Sequence, residues 1–279
     1  MSDSPQRCTV GSVRIGVGEP LAVISGPCVL ETFELGLEVG KAMHAACQDA
    51  GVAYIFKASF DKANRSSIAS YRGPGLEQGL DWLRQIGETL GVPTTTDIHE
   101  PTQAMPVAEA VDLLQIPAFL SRQTDLLLAA GEAAATHSRA VNVKKGQFMA
   151  PAEMSGPIKK LGEAGCSNIM LTERGTFFGY HRLVNDFTGL GDLIELGSPT
   201  CFDVTHSIQL PGSGTQTGGR PERAPLLGRA AAAAGVHALF IEAHPDPEHA
   251  KSDGATVLPL DVAAGIVRDA AAIRSALGM

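Results

Sequence analysis

The sequence lacks any long hydrophobic run. Its apolar stretches all fall well short of the ~18 residues that a membrane-spanning helix needs. Residues 1–10, MSDSPQRCTV, do not contain the apolar core of a signal peptide. These absences argue against membrane insertion and against secretion. We therefore expect a protein that works in the cytoplasm and has no membrane partner.

Basic residues are also few. The 279 residues include 22 Lys and Arg against 30 Asp and Glu, which gives a net charge of −8, and no block is rich in Lys or Arg. A nucleic-acid-binding protein needs a concentrated positive surface, so no nucleic-acid partner is expected. Hydrophobic residues make up 44% of the chain, which is enough for a large core and excludes a disordered chain.

The cysteines do not form a disulfide pattern. There are five of them, an odd number, and they are scattered along the chain at Cys8, Cys28, Cys47, Cys166 and Cys201. A small secreted domain held by disulfides has an even number at close spacing. The cysteines therefore predict reduced thiols, in agreement with a cytoplasmic protein.

The chain does contain eight short apolar runs, and nearly every one ends in residues capable of chemistry. They are ISGPC (24–28), YIFKASF (54–60), PTTTDIH (93–99), LLQIPAF (113–119), AVNVKK (140–145), IMLTERG (169–175), CFDVTH (201–206) and LFIEAHPDP (239–247). A parallel strand that is buried on both faces has this composition. Reactive side chains at the same end of strand after strand are typical of the active site of a (β/α)₈ barrel.

Helical stretches separate the runs. They are expected over residues 32–50, 76–90, 123–135, 153–164, 222–234 and 260–277. An alternation of strand and helix predicts a parallel sheet, either closed as a TIM barrel or open and doubly wound. We favour the closed α/β barrel, because there are eight runs and because an open sheet concentrates its chemistry at one switch point.

Two further segments complete the expected organisation of a single barrel domain over residues 1–279. Residues 8–22 alternate apolar and polar positions between turn residues, which predicts a β-hairpin that covers the bottom of the barrel. Residues 209–225 form a long loop without an expected secondary structure. Loops of this length are often lids, so we expect this loop to be mobile and to close over substrate.

Eight cations lie at or just beyond the ends of the runs, namely Lys57, Lys62, Arg65, Arg122, Lys144, Lys145, Arg174 and Arg220. Each of them alone fits a solvated surface charge, but eight at equivalent positions in an acidic protein are expected to converge on one mouth, as an anionic substrate such as a phosphate ester needs. Lys57 and Lys144 lie within the runs, where a lysine is either a Schiff-base nucleophile or a permanent partner of an anion. The nearby arginines favour the second interpretation.

Four residues offer a thiolate, an imidazole and two carboxylates to a metal ion. Cys28, His206 and Glu242 end the first, seventh and eighth runs, and Asp253 follows the eighth. The first and eighth strands of a closed barrel are neighbours, so the four can meet, and this mixed set suits Zn²⁺ or Fe²⁺. Taken singly, Cys28 also fits a small buried residue, and His206 and Glu242 fit hydrogen-bonded strand ends. Spacing alone leaves both interpretations open.

The third run ends in Asp97 and His99. A carboxylate and an imidazole at this position would orient a sugar hydroxyl or move protons.

Six stretches of the sequence carry a resemblance to a known family. They are KASFDKANRSSIASYRGPGLEQG (57–79), TDIHEPTQA (96–104), LLQIPAFLSRQTDLL (113–127), VNVKKGQFMAP (141–151), FDVTHSIQ (202–209) and FIEAHPDPEHAKSDG (240–254). The chain resembles the 3-deoxy-D-manno-octulosonate 8-phosphate synthases, TIM-barrel transferases that condense phosphoenolpyruvate with D-arabinose 5-phosphate in lipopolysaccharide biosynthesis. The related heptulosonate 7-phosphate synthases, which use erythrose 4-phosphate, carry a KPRT-like signature where this chain has KANRSS.

The resemblance implies roles for individual residues. Phosphoenolpyruvate would be bound by Lys57, Lys62, Gln115, Ala118, Lys144 and Arg174. Arabinose 5-phosphate would be bound by Asn64, Arg65, Ser66 and Asp97, with Arg122 reaching in from another subunit of a homotetramer. Catalytic roles would fall to Lys57, Asp97, His206 and Asp253.

The resemblance also implies a metal. The family has a metal-dependent branch with cysteine where the other branch has asparagine, and this chain has Cys28 there. The metal-independent branch tends to have cysteine where this chain has Ser252. Cys28, His206, Glu242 and Asp253 would then hold a divalent transition metal such as Zn²⁺, Fe²⁺ or Mn²⁺.

Three other functions stay open at this point. One is a heptulosonate 7-phosphate synthase that uses erythrose 4-phosphate. Another is an aldolase that forms a Schiff base through Lys57 or Lys144. The third is a sensor that binds a sugar phosphate without turning it over. Reactive groups that are closely spaced at the strand ends favour catalysis over sensing.

Overall fold

The structure, a computed structural model, describes residues 7–63, 70–212 and 218–279. Eight parallel strands form the central barrel: β3 (Ala22–Gly26), β4 (Ala53–Lys57), β5 (Thr94–Asp97), β6 (Leu113–Ile116), β7 (Ala140–Lys144), β8 (Ile169–Glu173), β9 (Thr200–Asp203) and β12 (Ala238–His244). Each of them pairs with its neighbours in chain order, and β12 pairs with both β9 and β3. The sheet is therefore closed, and the predicted (β/α)₈ barrel is confirmed.

Eight α-helices surround the barrel: α1 (Phe33–Ala50), α2 (Leu76–Leu90), α3 (Ala104–Ala110), α4 (Thr124–His137), α5 (Ser155–Glu163), α6 (Phe187–Glu195), α7 (Ala224–Ala233) and α8 (Leu260–Ala276). The side chain of Thr32 accepts a hydrogen bond from the backbone N–H of Leu35 and caps α1. Gly51 ends α1 in the left-handed region, at φ 68°, where glycine carries no Cβ penalty. Six of these helices were expected.

Helices α3 and α6 were not expected from the sequence. They have only 7 and 9 residues, and α3 contains Pro106. Their buried residues, Val107 and Ala108 in α3 and Leu190 and Leu193 in α6, face the barrel. Helical stability in proteins comes mainly from such packing, and a short helix shows too few turns for its periodicity to be recognised.

The N-terminal segment forms the predicted hairpin. Strands β1 (Arg7–Val10) and β2 (Val13–Gly16) pair antiparallel, and Cys8, Val10 and Ile15 are completely buried. They pack against residues at or near the amino ends of the barrel strands, including Ala22, Leu113, Ala140 and Ala238. The hairpin therefore covers the bottom of the barrel and leaves the opposite end open.

The loop over residues 209–225 has more structure than expected. Its ends form a short antiparallel ladder between β10 (Gln209–Leu210) and β11 (Gly218–Gly219). A 3₁₀ turn over Pro221–Arg223 then leads into α7. The expectation that the segment has no secondary structure was therefore wrong, while its movement over substrate stays a prediction.

A last short strand, β13 (Leu258–Pro259), pairs in parallel with the carboxyl end of β12. Residues 245–257 lie between these two strands and carry Ser252 and Asp253. None of the helices in the described part of the chain combines the length and apolarity needed to cross a bilayer.

Candidate active site

A cavity opens at the carboxyl ends of the barrel strands, the end opposite the hairpin. Many of the residues singled out from the sequence line it, including Lys62, Asp97, His99, Ala118, Lys144, Arg174, His206, Glu242, Ser252 and Asp253. These residues come from loops and strand ends that are far apart in the chain. The barrel brings them together because parallel strands all end at the same rim.

The predicted metal ligands meet on one side of this cavity. The ligand atoms of Cys28, Glu242 and Asp253 lie within 4.8 Å of one another, and Cys28 Sγ is 3.0 Å from Asp253 Oδ2. His206 Nε2 lies 3.8 Å from Glu242 Oε2 and 4.0 Å from Asp253 Oδ2. In the described residues, this is the one place where three Cys, His, Asp or Glu side chains converge so closely.

Asp203 orients the imidazole of His206. Its Oδ2 lies 2.8 Å from His206 Nδ1, and its Oδ1 accepts the backbone N–H of His206. Burial opposes ionisation of Asp203, but the neighbouring His206 and Lys144 outweigh it and lower its pKa. A carboxylate can only accept, so His206 Nδ1 donates to Asp203, and Nε2 is left facing Glu242 and Asp253. Metal-binding histidines are held in this way.

Glu242 is completely buried, and its two carboxylate oxygens differ in their contacts. Its Oε1 accepts a hydrogen bond from Lys57 Nζ, whereas its Oε2 has no hydrogen-bond partner within the part of the chain that the structure describes. Burial again opposes ionisation, but Lys57 and His206 lower the pKa of this carboxyl. A buried carboxylate oxygen without a partner is costly, and a cation beside Oε2 would satisfy it. The donor set and this oxygen together fit a divalent metal ion.

The thiol of Cys28 is protonated without such an ion. Burial, followed by the charges of Asp253 and Glu242, raises its pKa well above the ordinary value. Its Sγ also lies 3.3 Å from the hydroxyl of Ser252, so both residues that the resemblance singled out lie in this cluster. Metal binding must displace the thiol proton.

Lys144 and Lys57 are both held by carboxylates. Lys144 Nζ donates to Asp203 Oδ2 at 2.7 Å and lies 3.6 Å from the centre of the Phe240 ring. Lys57 Nζ donates to Glu242 and, at 3.0 Å, to the carbonyl of Cys28. Both lysines are more than nine-tenths buried, and these partners stabilise their charged forms.

Arg174 lines the cavity with a buried guanidinium. Its Nη2 donates to Gln209 Oε1 at 2.6 Å, while its buried Nη1 has no hydrogen-bond partner among the described residues. Burial lowers the pKa of this guanidinium although several carboxylates oppose the shift, and arginine stays charged in proteins. The side chain of Glu173 accepts the backbone N–H groups of Arg174 and Gly175 and so fixes the turn. A buried, incompletely satisfied guanidinium is suited to a phosphate or a carboxylate.

Asp97 faces the same cavity from β5. Its Oδ2 accepts from Ser59 Oγ at 2.7 Å and its Oδ1 from Gln115 Nε2 at 2.6 Å. Burial opposes ionisation, but Lys57, Lys144 and Lys62 lower its pKa. Asp97 is therefore a fixed anion with lone pairs available to a ligand hydroxyl.

Not all of the predicted residues reach the cavity. Lys145 is buried elsewhere, where its Nζ donates to the carbonyl of Met149 and lies 3.5 Å from Glu173. Arg220 pairs with Glu222 instead. The expected convergence of all eight cations on the mouth of one chain was therefore wrong for these two, as it is for Arg122, because a strand-end position does not decide where a long side chain turns.

Arg122 is exposed on its own chain and does not line the cavity. Three of the residues expected to bind the sugar phosphate lie outside the described residues, namely Asn64, Arg65 and Ser66.

The structure adds two functional residues that sequence reasoning missed. Asp203 holds both Lys144 and His206, and Gln209 holds Arg174 from the first residue of β10. Asp203 precedes His206 by three residues in the same run, so the local pattern contained a signal for it. No local signal connects Gln209 with Arg174, which lies 35 residues away.

Comparison with known proteins identifies similar sequences over almost the whole chain. The profile of the DAHP synthetase I family matches residues 3–271. A protein of Cyanothece sp. named 2-dehydro-3-deoxyphosphooctonate aldolase is 52% identical over 266 residues, which cover 95% of this chain and 96% of that protein. Proteins with the same name from Nitratidesulfovibrio vulgaris and Synechococcus sp. are 51% and 50% identical. Their matches cover 91% and 97% of this chain, and 92% and 95% of the two proteins.

Proposed function

The chain belongs to the DAHP synthetase I family, and from this we propose that it is a 3-deoxy-D-manno-octulosonate 8-phosphate synthase. This enzyme is also called 2-dehydro-3-deoxyphosphooctonate aldolase, the name that the similar proteins carry. The reaction joins phosphoenolpyruvate, D-arabinose 5-phosphate and water to give the eight-carbon keto-acid phosphate and inorganic phosphate. Identity near 50% over nearly the full length favours this reaction over heptulosonate synthesis.

The observation that carries the proposal is the placement of buried cations beside a thiol, imidazole and carboxylate cluster in one cavity. Lys144 and Arg174 line the same cavity as Glu242 and Asp253. The two substrates carry two phosphates and a carboxylate, which repel one another in the absence of fixed positive charge. Cations that the fold has already desolvated and oriented can bind both substrates together.

The bonds change as follows. The electrons of the C2–C3 double bond of phosphoenolpyruvate form a bond from C3 to the aldehyde carbon of the sugar. Water adds to C2, where positive character develops, and the C2–O bond to phosphate then breaks. The two protons of the water end on the former aldehyde oxygen and on the departing phosphate.

The residues of the chain bind and orient these groups. We assign the phosphate and carboxylate of phosphoenolpyruvate to Lys144 and to Nη1 of Arg174, while the fully buried Lys57 and Gln115 hold Glu242 and Asp97. We assign a sugar hydroxyl to Asp97, and Lys62 lies between the two substrates. Fixed cations of this kind stabilise the charge that develops as phosphate leaves.

Cys28, His206, Glu242 and Asp253 would hold the divalent metal. When bound, such an ion supplies a Lewis acid that polarises an oxygen ligand. The chain prepares the site by itself, because Asp203 fixes the ring of His206 and Lys57 occupies the other oxygen of Glu242.

A Schiff-base aldolase is less well supported. A nucleophilic lysine needs a neutral amine, which proteins obtain by desolvation or by placing another cation nearby. Lys57 and Lys144 instead donate hydrogen bonds to buried carboxylates, and neither of these contacts places a second cation beside the amine. Borohydride reduction in the presence of substrate should therefore trap no adduct.

We infer that the active form is a homotetramer that works in the cytoplasm. Aromatic side chains at the open rim support an assembly, since Phe178 and Tyr180 are 93% and 90% exposed and exposed apolar patches mark interaction sites. The exposure of Arg122 agrees with its acting in a neighbouring subunit. The five cysteines are all unpaired and buried, as expected for a reducing compartment.

The test is a phosphate-release assay with phosphoenolpyruvate and either arabinose 5-phosphate or erythrose 4-phosphate. Arabinose 5-phosphate should be used with a kcat/KM at least about 100-fold higher, since a site built for a substrate hydroxyl rejects an analogue that lacks its partner. Lys144→Met should abolish turnover, and Lys159→Met, on the exposed side of α5, should not. Equal use of the two sugars, or no phosphate release from either, would contradict the proposal.

A further inference from the structure

A chain of side-chain hydrogen bonds runs around the inside of the barrel beneath the cavity. It crosses four adjacent strands, β5 to β8. Thr172 Oγ1 lies 2.7 Å from Asn142 Oδ1, Asn142 Nδ2 lies 3.0 Å from Gln115 Oε1, and Gln115 Nε2 lies 2.6 Å from Asp97 Oδ1. We call Thr172, Asn142 and Gln115 the polar ladder. All three are completely buried, in a layer where barrels are usually filled by branched apolar residues.

The direction of every hydrogen bond in the ladder follows from Asp97, the acceptor at its end. Asp97 is ionised and can only accept, so Gln115 must turn its NH₂ group toward it. The Oε1 of Gln115 then faces Asn142, which must in turn present its own NH₂ group. Asn142 Oδ1 is left facing Thr172, whose hydroxyl donates. Every donor in the ladder therefore points toward Asp97.

The register of the strands holds this order. Asp97 pairs with Gln115, and Gln115 pairs with Asn142, across neighbouring parallel strands. On the other side, Ser59 Oγ donates to Asp97 Oδ2 and accepts from Lys62 Nζ at 3.2 Å. Both carboxylate oxygens are thus anchored, from opposite directions, before any ligand arrives.

We propose that Asn142 and Thr172 are positioning residues that fix the carboxylate of Asp97 for a hydroxyl of the sugar phosphate. Neither of them lines the cavity, and Thr172 acts on Asp97 only through two intervening amides. That the ligand is a sugar phosphate rests on the proposed function. The order of donors is a property of the ladder and does not depend on the proposed function. Networks of this kind rigidify a site when every member is satisfied.

Thr172→Val tests the proposal, because it removes the first donor and keeps the shape of the side chain. Asn142 Oδ1 then has no donor, and both amides gain freedom to rotate. The KM for arabinose 5-phosphate should rise about five- to tenfold, the effect of one buried hydrogen bond, whereas the KM for phosphoenolpyruvate should change less than twofold. Thr172→Ser, which restores a hydroxyl, should recover most of the loss.

Thr95→Val is the matched control. Thr95 is also a buried threonine of a barrel strand, but its hydroxyl donates to the carbonyl of Leu113 and lies outside the ladder. Both kinetic constants should stay near those of the unmodified protein. An equal effect of Thr172→Val and Thr95→Val, or an equal rise in both KM values, would show a merely structural role and overturn the proposal.

A second readout needs no substrate. Side-chain NH₂ groups of Gln115 and Asn142, observed by NMR after amide labelling, should exchange slowly in the free protein and at least about tenfold faster in Thr172→Val. Unchanged exchange would refute the ladder. Phosphate release by the unmodified protein is measured in parallel. A failure of that assay with intact exchange behaviour would reject the proposed substrate and not the ladder.

Discussion

At the scale of single residues, Cys28 is set apart from the other four cysteines by its neighbours. Cys47, on α1, has a pKa raised to about 12 by burial alone. Cys28 is surrounded by Asp253 and Glu242 as well, and these charges also raise its pKa. Two carboxylates stabilise the proton of the Cys28 thiol, and a divalent cation bound among the same groups can replace that proton.

This environment predicts that metal affinity increases with pH. A raised thiol pKa means that binding releases a proton, so the apparent affinity should fall as pH decreases, by about tenfold per pH unit for each proton released. Competition with a chromophoric chelator between pH 6.5 and 8.5, with metal content by mass spectrometry, measures it. Exhaustive chelation should abolish turnover and a divalent transition metal should restore it.

Cys28→Asn should weaken the affinity and flatten this pH dependence, and Cys47→Ala should change neither. Retention of the full affinity and slope in Cys28→Asn would remove Cys28 from the ligand set. Turnover in Cys28→Asn would not by itself decide this, because one branch of the resembling family carries asparagine at this position and needs no metal.

Single residues of the site were predicted with mixed success from the sequence. The four residues proposed to hold a metal were predicted from the ends of three runs and one loop, and the structure brings them close together because strand ends of a barrel share a rim. Asp203 was missed, although it holds His206, since its contact with Lys144 joins residues 59 apart. The turn of Lys145 away from the cavity was missed for the same reason. Side-chain direction depends on neighbours that are distant in the chain.

At the scale of elements, the glycines in helices α4 and α5 predict opposite effects of one substitution. A Cβ at Gly131 on α4 would lie 2.6 Å from the Cβ of Ala164 and 3.1 Å from the carbonyl of Leu161. A Cβ at Gly162 on α5 would meet nothing within 4 Å. Gly131 therefore allows two helices to approach closely, whereas Gly162 has no such role.

Gly131→Ala should destabilise the protein by about 1–3 kcal/mol through overpacking. Gly162→Ala should stabilise it by about 0.4–1 kcal/mol, because alanine restricts the unfolded chain and favours a helix. Denaturant unfolding that monitors both variants against the parent measures the difference. If both variants were destabilised equally, the close approach of α4 and α5 would not be the reason for a glycine at position 131.

The elements themselves were predicted where their pattern was long. All eight barrel strands were recognised as apolar runs, and six of the eight helices were recognised from apolar positions that recur every three or four residues. Among these six, α5 is as short as α6, but a 3₁₀ turn over Pro151–Met154 lengthens its helical stretch. Helices α3 and α6 and the β10–β11 ladder were not recognised. Strands of two residues have no periodicity, and only the pairing of Gln209 with Gly219 creates them.

At the scale of the whole molecule, the proposed homotetramer predicts contacts at the open rim. Phe119 and Phe178 are 51% and 93% exposed and lie in loops that follow β6 and β8. Aromatic side chains that are exposed in the single chain favour a contact in which a second copy covers them. Arg122 lies in the same region as Phe119 and would then reach the neighbouring cavity.

The double variant Phe119→Ser and Phe178→Ser should lower the mass measured by light scattering at micromolar concentration. Its activity should fall in parallel with the fraction of smaller species. Leu226→Ser, which changes an equally exposed side chain on α7 at 53% exposure, should leave the assembly intact. A parent protein that is monomeric would contradict the homotetramer directly.

The sequence by itself determined the architecture and the class of chemistry. Eight buried runs that end in reactive residues specify a closed barrel with its site at one rim, because period and strand polarity are local properties of the chain. The tertiary structure alone decided which groups touch. It turned Lys145 away, placed Asp203 between Lys144 and His206, and aligned Thr172, Asn142 and Gln115 toward Asp97. These outcomes depend on contacts between residues far apart in sequence, and such contacts exist only after the barrel has closed.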